Sequence, residues 1–289
     1  MAITEAQRLD RKNHLGGSDI PQLLGFSPYG NAYDLWLLKT GRVQPKERTQ
    51  GYITAGNLLE TPIIEWLRGH LNCGLINTTD DDMERKVEGT PIVTHMDGIV
   101  EVSGDPVEGK SEGVDHPIRL PWGEAGTDEV PEYVLLQAHC HMMATDREIC
   151  HIPTFLGGRG FGYFFAKRDE GIVKLIREQA IRFWEENVLG DKAPENVVPS
   201  LSMIKRIRSV KGEPVAIADE LIQQWLDAKE GESAAKKLKE FYQAEILAAL
   251  DGVEMGLTGL GDITNFEQNR KGYEVQPTSF RVLRLKKRK

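Results

Sequence analysis

Cysteine is scarce in this sequence, cations are outnumbered, and long apolar runs are missing. The three cysteines, Cys73, Cys140 and Cys150, are scattered and lack C-x-x-C spacing, so reduced thiols are expected and a four-cysteine iron–sulfur cluster is excluded. No stretch reaches the roughly 18 apolar residues of a membrane span, and the opening MAITEAQRLDRKN has no signal-peptide apolar core. A cytoplasmic chain with no membrane partner is expected. Lysine and arginine number 36 against 44 aspartates and glutamates, a net charge of −8, which argues against a protein that coats nucleic acid by overall charge. G-x-S-x-G is absent, so Ser18 is no evidence for a serine hydrolase. The group His139-Cys140-His141 with His151 lacks zinc-ligand spacing, because residues i and i+2 of a helix point apart.

What is present suits a globular enzyme: 289 residues, 40% of them hydrophobic, can build one large core and an appendage. Residues 11–42 read as a Gly-Gly turn, Ser18 or Asp19 as a helix N-cap, a short apolar helix, a turn at Ser27-Pro28-Tyr29-Gly30, and a second helix ending at Thr40-Gly41. An amphipathic helix follows over 56–71, then alternating β-branched strands over 85–114 and a Gly/Pro-rich acidic loop over 114–129. Pro131 opens a helix through Ala144 that puts Gln137 and His141 on one face; a strand pair and a helix over 169–187 come next. This α-β-β-β-α-β order implies a central mixed sheet flanked by helices. Pro and Gly in 190–200 mark a linker, and beyond it the pattern predicts helices over 217–250, broken near Gly231, and a small β-hairpin with a basic tail.

The chemistry concentrates between residues 97 and 110. In an extended strand Glu108 and Lys110 share a face, and a turn at Ser103-Gly104-Asp105-Pro106 brings Asp97 of the preceding strand to the same spot. Two hard oxygen ligands beside a fixed cation suit Mg²⁺-assisted attack of water on a phosphodiester. Cations expected along a duplex path are Arg11, Lys39, Arg42 and the run 204–211.

This arrangement resembles the PD-(D/E)XK nucleases. The order of Arg11, Gly16-Gly17-Ser18-Asp19, Leu24-Gly25, Ser27-Pro28-Tyr29, Leu35-Trp36 and Thr40-Gly41 is similar to the opening of the YqaJ-type viral recombinases, the lambda exonuclease family. The likeness continues through residues 56–67, Asp97, Glu108, Lys110, Trp122-Gly123, residues 131–145 and residues 182–194. It implies a restriction-endonuclease-like α/β core over 1–199 with a C-terminal helical and β-hairpin extension over 200–289. It also implies catalytic Asp97, Glu108, Lys110, Glu60 and Gln137, and a DNA 5′-phosphate held by Arg11 and Ser18. Metal ligands would be Asp97, Glu108 and the Gly109 carbonyl, with Glu60 as a further candidate, and the cofactor Mg²⁺ with Mn²⁺ substituting. Two departures stand out. His95 occupies a position where the family has a phosphate-contacting serine, and no arginine follows Lys110 until Arg119.

The activity so implied is 5′→3′ exonuclease action on double-stranded DNA ends in phage-type recombination, in the host cytoplasm if phage-encoded. It would leave 3′ single strands for an annealing protein and work as a homo-oligomer, a trimeric ring by resemblance. Two other readings remain open: a PD-(D/E)XK endonuclease or single-strand nuclease in repair or defence, and a non-catalytic DNA-end-binding scaffold. Substrate topology separates the first, and metal-dependent nucleotide release the second.

Overall fold

The chain enters its fold through β1 (Leu15–Gly16), a two-residue strand that leads into a 3₁₀ turn over Gly17–Asp19 and the short helix α1 (Ile20–Leu23). The computed structural model describes residues 10–45, 51–72, 75–77, 83–113, 121–207 and 215–267. Asn31 starts α2 (Ala32–Lys39) by accepting the Tyr33 and Asp34 N–H groups at 3.0 and 3.1 Å, and Gly41 beyond its end adopts φ +72°. Leu35, Trp36 and Leu37 of α2 are buried. In α3 (Gly51–Leu71), Ile63, Ile64 and Leu67 form the buried face.

Next come the short strands β2 (Leu75–Asn77), β3 (Glu84–Lys86), β4 (Ile92–His95), β5 (Gly98–Val100), β6 (Pro106–Val107) and β7 (Lys110–Glu112). A small sheet has the order β1-β4-β3, with β4 parallel to β1 and antiparallel to β3. The main sheet is mixed. β5 pairs antiparallel with β2 and with β6, and the turn between β5 and β6 is closed by Gly104 N–H donating to the Val100 carbonyl at 2.7 Å, with Gly104 at φ +75°. Only glycine takes that conformation without strain.

Beyond α4 (Glu132–Thr145), β8 (Ile149–Leu156) runs parallel to β6 and β7 and antiparallel to β9 (Gly160–Lys167). Val107 faces His151 and Lys110 faces Thr154, a constant offset, so β6 and β7 are two halves of one strand interrupted at Glu108-Gly109. The β6 half lies inside the sheet, between β5 and β8. The expected continuous alternation is thereby corrected to two short stretches with the acidic residue at the break.

Helix α4 is apolar on two faces because it lies between two parts of the core. Leu136 and Cys140 pack with Leu15, Ile20, Leu35 and Ile92; Val134, Ala138 and Met142 pack with Ile152, Phe164 and Ala166. Asp169 caps α5 (Glu170–Arg182) through the Ile172 N–H at 3.0 Å, and a π-helical turn, Phe183–Leu189, continues it. The chain then reaches α6 (Leu201–Ile204), and Met203, Ile204 and Ile207 lie against the core. This central mixed sheet with flanking helices is the α/β architecture expected from the order of the elements.

The chain folds as two compact units, Met1–Arg208 and Ser209–Lys289. The second contains α7 (Asp219–Leu250) and a hairpin of β10 (Met255–Thr258) and β11 (Gly261–Thr264). The helix is unbroken at Gly231, contrary to the expected interruption. One interior glycine costs roughly 1 kcal/mol against alanine, and the surrounding Ala, Lys, Glu and Leu residues are strong helix formers. The basic tail expected after the hairpin lies outside the described residues, as do Cys73 and Arg119.

Candidate active site

Glu108 sits at the strand break with its side chain buried, although a carboxylate there would ordinarily be expelled to water. Two side chains and one backbone contact account for it. Its Oε1 accepts from the Lys110 ammonium, and its Oε2 lies 2.7 Å from His141 Nε2. Its own N–H donates to the His151 carbonyl at 2.9 Å. Burial alone would push the Glu108 pKa upward, but Lys110 and the His141 hydrogen bond bring it down to about 2. Lys110 obeys the converse logic: burial would lower its pKa, and the adjoining Glu108 carboxylate holds it above the usual lysine range. Its ammonium also donates to Gln137 Oε1 at 2.9 Å.

Asp97 follows β4 and precedes β5, so the hairpin brings it beside the break. Its N–H donates to the Val107 carbonyl at 3.0 Å, and its Oδ2 accepts the Gly109 N–H at 2.8 Å. Its pKa is raised well above the ordinary carboxylate value, first by burial, then by the charges of Glu108 and Glu60. Glu60 reaches this neighbourhood from α3, a helix packed on β7 and β8.

The sequence-named residues Asp97, Glu108, Gly109, Lys110 and Gln137 therefore meet at the break, Asp97 with Gly109 and Glu108 with Lys110 and Gln137, and Glu60 joins them through its field. Among the described residues, no three His, Cys, Asp or Glu side chains form a ready-made metal cage. The donor chemistry still fits a hard divalent cation. Mg²⁺ keeps several waters and takes only one or two carboxylates, and three acids converge here around a single lysine.

The Gly-Gly turn lies beside this centre. Arg11 donates to Ser18 Oγ at 3.3 Å, with Ser18 exposed. Asp19 stands at the N-cap position of α1, one of the two residues expected there, but its side chain makes no hydrogen bond to the first turn of that helix. Asp19 Oδ2 instead accepts the Gly16 N–H at 2.8 Å and pairs with the Lys39 ammonium at 2.7 Å. Lys39 also donates to the Arg11 and His14 carbonyls at 2.6 and 2.7 Å, and its side chain is 6% exposed. It is thus an internal brace of the turn and lines no duplex path. Arg42 is likewise committed, held by Asp191 at 2.7 and 3.0 Å and lying 4.2 Å over the Trp36 ring. In the run 204–211, Ile204 and Ile207 pack on the core and residues from 208 lie outside the described ones.

Sequence reasoning missed three participants. His141, buried, joins Glu108 to Thr94, whose Oγ1 is 2.8 Å from His141 Nδ1. Tyr133 has its ring centroid 5.9 Å from Lys110 Nζ, and its hydroxyl is pushed up to about 12, mainly by burial. Tyr29, 62% exposed, meets Tyr133 edge-on at 6.2 Å. The available signal was the i, i+4 spacing of Gln137 and His141, which places both on the face of α4 turned toward the break.

Fold and site together define a mixed α/β protein with an acidic, lysine-bearing centre at an interrupted strand. Residues 8–148 match the model of the YqaJ-like viral recombinase domain. The uncharacterized protein YqaJ of Bacillus subtilis (strain 168) is 24% identical over 260 residues, spanning 87% of this chain and 79% of its own. Among solved structures, the alkaline exonuclease LHK-Exo from Laribacter hongkongensis aligns with a TM-score of 0.48 at 12% identity, over 65% of this chain and 94% of its own. A phage-related exonuclease from Haemophilus somnus 129PT aligns with a TM-score of 0.47 at 15% identity, over 64% of this chain and all of its own. Among the described residues no helix is long and apolar enough to cross a membrane.

Proposed function

We propose that this chain is a divalent-metal-dependent deoxyribonuclease that degrades double-stranded DNA from its ends in the 5′→3′ direction, in recombination of the phage type. The observation that carries the reading is the junction of Glu108, Lys110 and Gln137 at the strand break, with Asp97 fixed to the Gly109 amide. The match of residues 8–148 to the YqaJ-like viral recombinase domain supports the same reading.

Asp97, Glu108 and the Gly109 carbonyl would hold the cation, Mg²⁺ with Mn²⁺ as substitute, and Glu60 is the candidate for a further contact. When bound, the cation supplies charge neutralisation and Lewis acidity at the scissile phosphate. Lys110, spanned between Glu108 and Gln137, donates hydrogen bonds to the attacking water or a phosphate oxygen. Gln137 fixes the direction of that donor. Arg11 and the exposed Ser18 hydroxyl receive the 5′-phosphate through charge-assisted hydrogen bonds, which sets the polarity.

A chain with eight net negative charges has little general attraction for DNA, so a closed ring, a trimer by family resemblance, retains the duplex by encirclement. The single strand left behind is passed to an annealing protein. Nucleotide release from end-labelled linear duplex, set against the circular form and against EDTA, tests the reading. Cleavage of circular DNA at the linear rate would favour an endonuclease, and no metal-dependent release would leave only end binding.

A further inference from the structure

The buried histidine on the back of Glu108 has no place in the chemistry described so far. His141 is 0% exposed, yet both of its ring nitrogens are engaged: Nε2 with Glu108 Oε2 at 2.7 Å and Nδ1 with Thr94 Oγ1 at 2.8 Å. Thr94 is itself buried in β4, three residues before Asp97. Its side chain touches the Gly-Gly turn, since a Cβ on Gly17 would stand 2.4 Å from Thr94 Oγ1. One continuous series of contacts therefore runs from the backbone of the turn bearing Ser18, through Thr94 and His141, to the carboxylate of Glu108.

We propose that His141 is a positioning residue for Glu108, donating from Nε2–H, with its tautomer set by the Thr94 hydroxyl donating to Nδ1. This inference rests on the nuclease reading of the site and deepens it. The opposite tautomer would aim an imidazole lone pair at an ionised oxygen 2.7 Å away, which is repulsive; the Nε2–H form makes two good hydrogen bonds. The donor also fixes the plane of the carboxylate. An ionised carboxylate offers about four acceptor positions. His141 takes one on Oε2 and Lys110 one on Oε1, and the others keep a set direction for a cation. Groups that orient a metal ligand from behind change metal affinity or activity by about 10- to 100-fold when removed.

A histidine that merely fills the core predicts something different. Its replacement by a shape-compatible apolar residue would alter stability and leave cation binding alone. The face of α4 that carries His141 is separate from the two apolar faces that pack the core, and it carries Gln137 as well.

The test compares His141→Leu, His141→Gln and Thr94→Val with the full-length native protein. Four quantities are read: thermal melting, Mn²⁺ affinity of the DNA-free protein by electron paramagnetic resonance, and kcat and KM on linear duplex. Glutamine retains an N–H near the Nε2 position. We expect His141→Leu to weaken Mn²⁺ binding and lower kcat about 10- to 100-fold with KM for DNA unchanged, His141→Gln to restore most of both, and Thr94→Val to cause a smaller loss of the same kind. ¹⁵N shifts of the imidazoles at pH 8, with His141 assigned by its absence from the glutamine variant, should show protonated Nε2 and bare Nδ1.

Native Mn²⁺ affinity and kcat in a folded His141→Leu protein would overturn the proposal. So would a glutamine variant no better than leucine, or an Nε2 without its proton. If the leucine variant does not fold, the glutamine and valine variants and the tautomer still decide. Failure of the nuclease reading looks different, because the native protein itself would then neither bind Mn²⁺ nor release nucleotides.

Discussion

Lys39 places its ammonium 2.7 Å from Asp19 Oδ2 beneath the turn that presents Ser18, with only 6% of the lysine side chain exposed. For Asp19, burial would raise the pKa, but Lys39 and then Arg11 lower it below the ordinary carboxylate value. The pair is thus a structural element of the turn that presents Ser18. Removing one partner of such a buried pair costs about 3–5 kcal/mol, so Lys39→Met should lower the unfolding free energy by roughly that amount and disorder the turn. Urea denaturation measures it; a loss under about 1 kcal/mol would show that the brace is dispensable.

The same turn makes stability depend on acid in a defined way. Because Asp19 is depressed when folded, its contribution is fully present above its unfolded value and is lost as pH falls through the folded one. His139 acts higher on the scale. Its Nδ1–H donates to the Leu135 carbonyl and its Nε2 accepts the Asp169 N–H, and burial lowers its pKa. The unfolded chain therefore takes up the proton first, and stability declines from about pH 6.5 downward. Melting temperatures should be flat from about pH 7 to 8, fall from about pH 6.5 downward, and fall further below about 4. Burial lowers the pKa values of His14, His95 and His151 in the same direction, so His139→Gln should shrink the upper step without abolishing it and leave the lower step unchanged.

At the metal-binding candidates the substitutions must respect burial. Asp97→Asn, Glu108→Gln and Lys110→Met keep volume while removing charge, and each should lower Mg²⁺-dependent hydrolysis by roughly 10²-fold or more. Lys110→Met leaves Glu108 with His141 as its remaining side-chain partner, so this variant should also melt lower. A folded Glu108→Gln protein cleaving at the native rate would remove Glu108 from the site.

Much of this centre was legible because its chemistry is local in sequence. Asp97, Glu108 and Lys110 lie within one hairpin and its continuation, where a period of two and a Gly-Pro-bearing turn determine which side chains meet. The family resemblance put Gln137 in the site with Glu108, and spacing put Gln137 and His141 on one helix face, but their spacing alone did not show that His141 meets Glu108, since that contact depends on how α4 crosses the sheet. The cations were misjudged for a related reason. Lys39 and Arg42 close an amphipathic helix at positions that read as solvated, while Asp19 and Asp191, their partners, come from 20 residues earlier and 149 residues later. The break at Glu108-Gly109 was also hidden: a strand pattern of a few residues does not reveal where its ladder is interrupted.

End recognition makes a separate prediction from bond cleavage. Arg11 and Ser18 are 3.3 Å apart at an exposed turn, so a 5′-phosphorylated duplex should be cleaved faster than a 5′-hydroxyl one, and Arg11→Ala should remove the difference while sparing the slower rate. Steady-state kinetics on the two substrates provides the comparison. Equal native rates on both would rule out this role for the turn.

The last prediction concerns the second unit. Met203, Ile204 and Ile207 lie against the core of the first unit, so a cut before them would expose apolar surface, whereas a chain ending at Arg208 retains every core residue of that unit. The second unit's long helix carries exposed Leu238, Phe241, Tyr242 and Ile246, and apolar side chains so placed suit assembly or a partner better than catalysis. A fragment of residues 1–208 should therefore stay folded, bind Mn²⁺ like the full chain and release nucleotides from short duplexes. If the extension closes the proposed ring, the fragment should lose processivity on long duplexes and run smaller than the full chain by light scattering. A folded fragment without Mn²⁺ binding would place part of the metal site in the second unit and refute this division of labour.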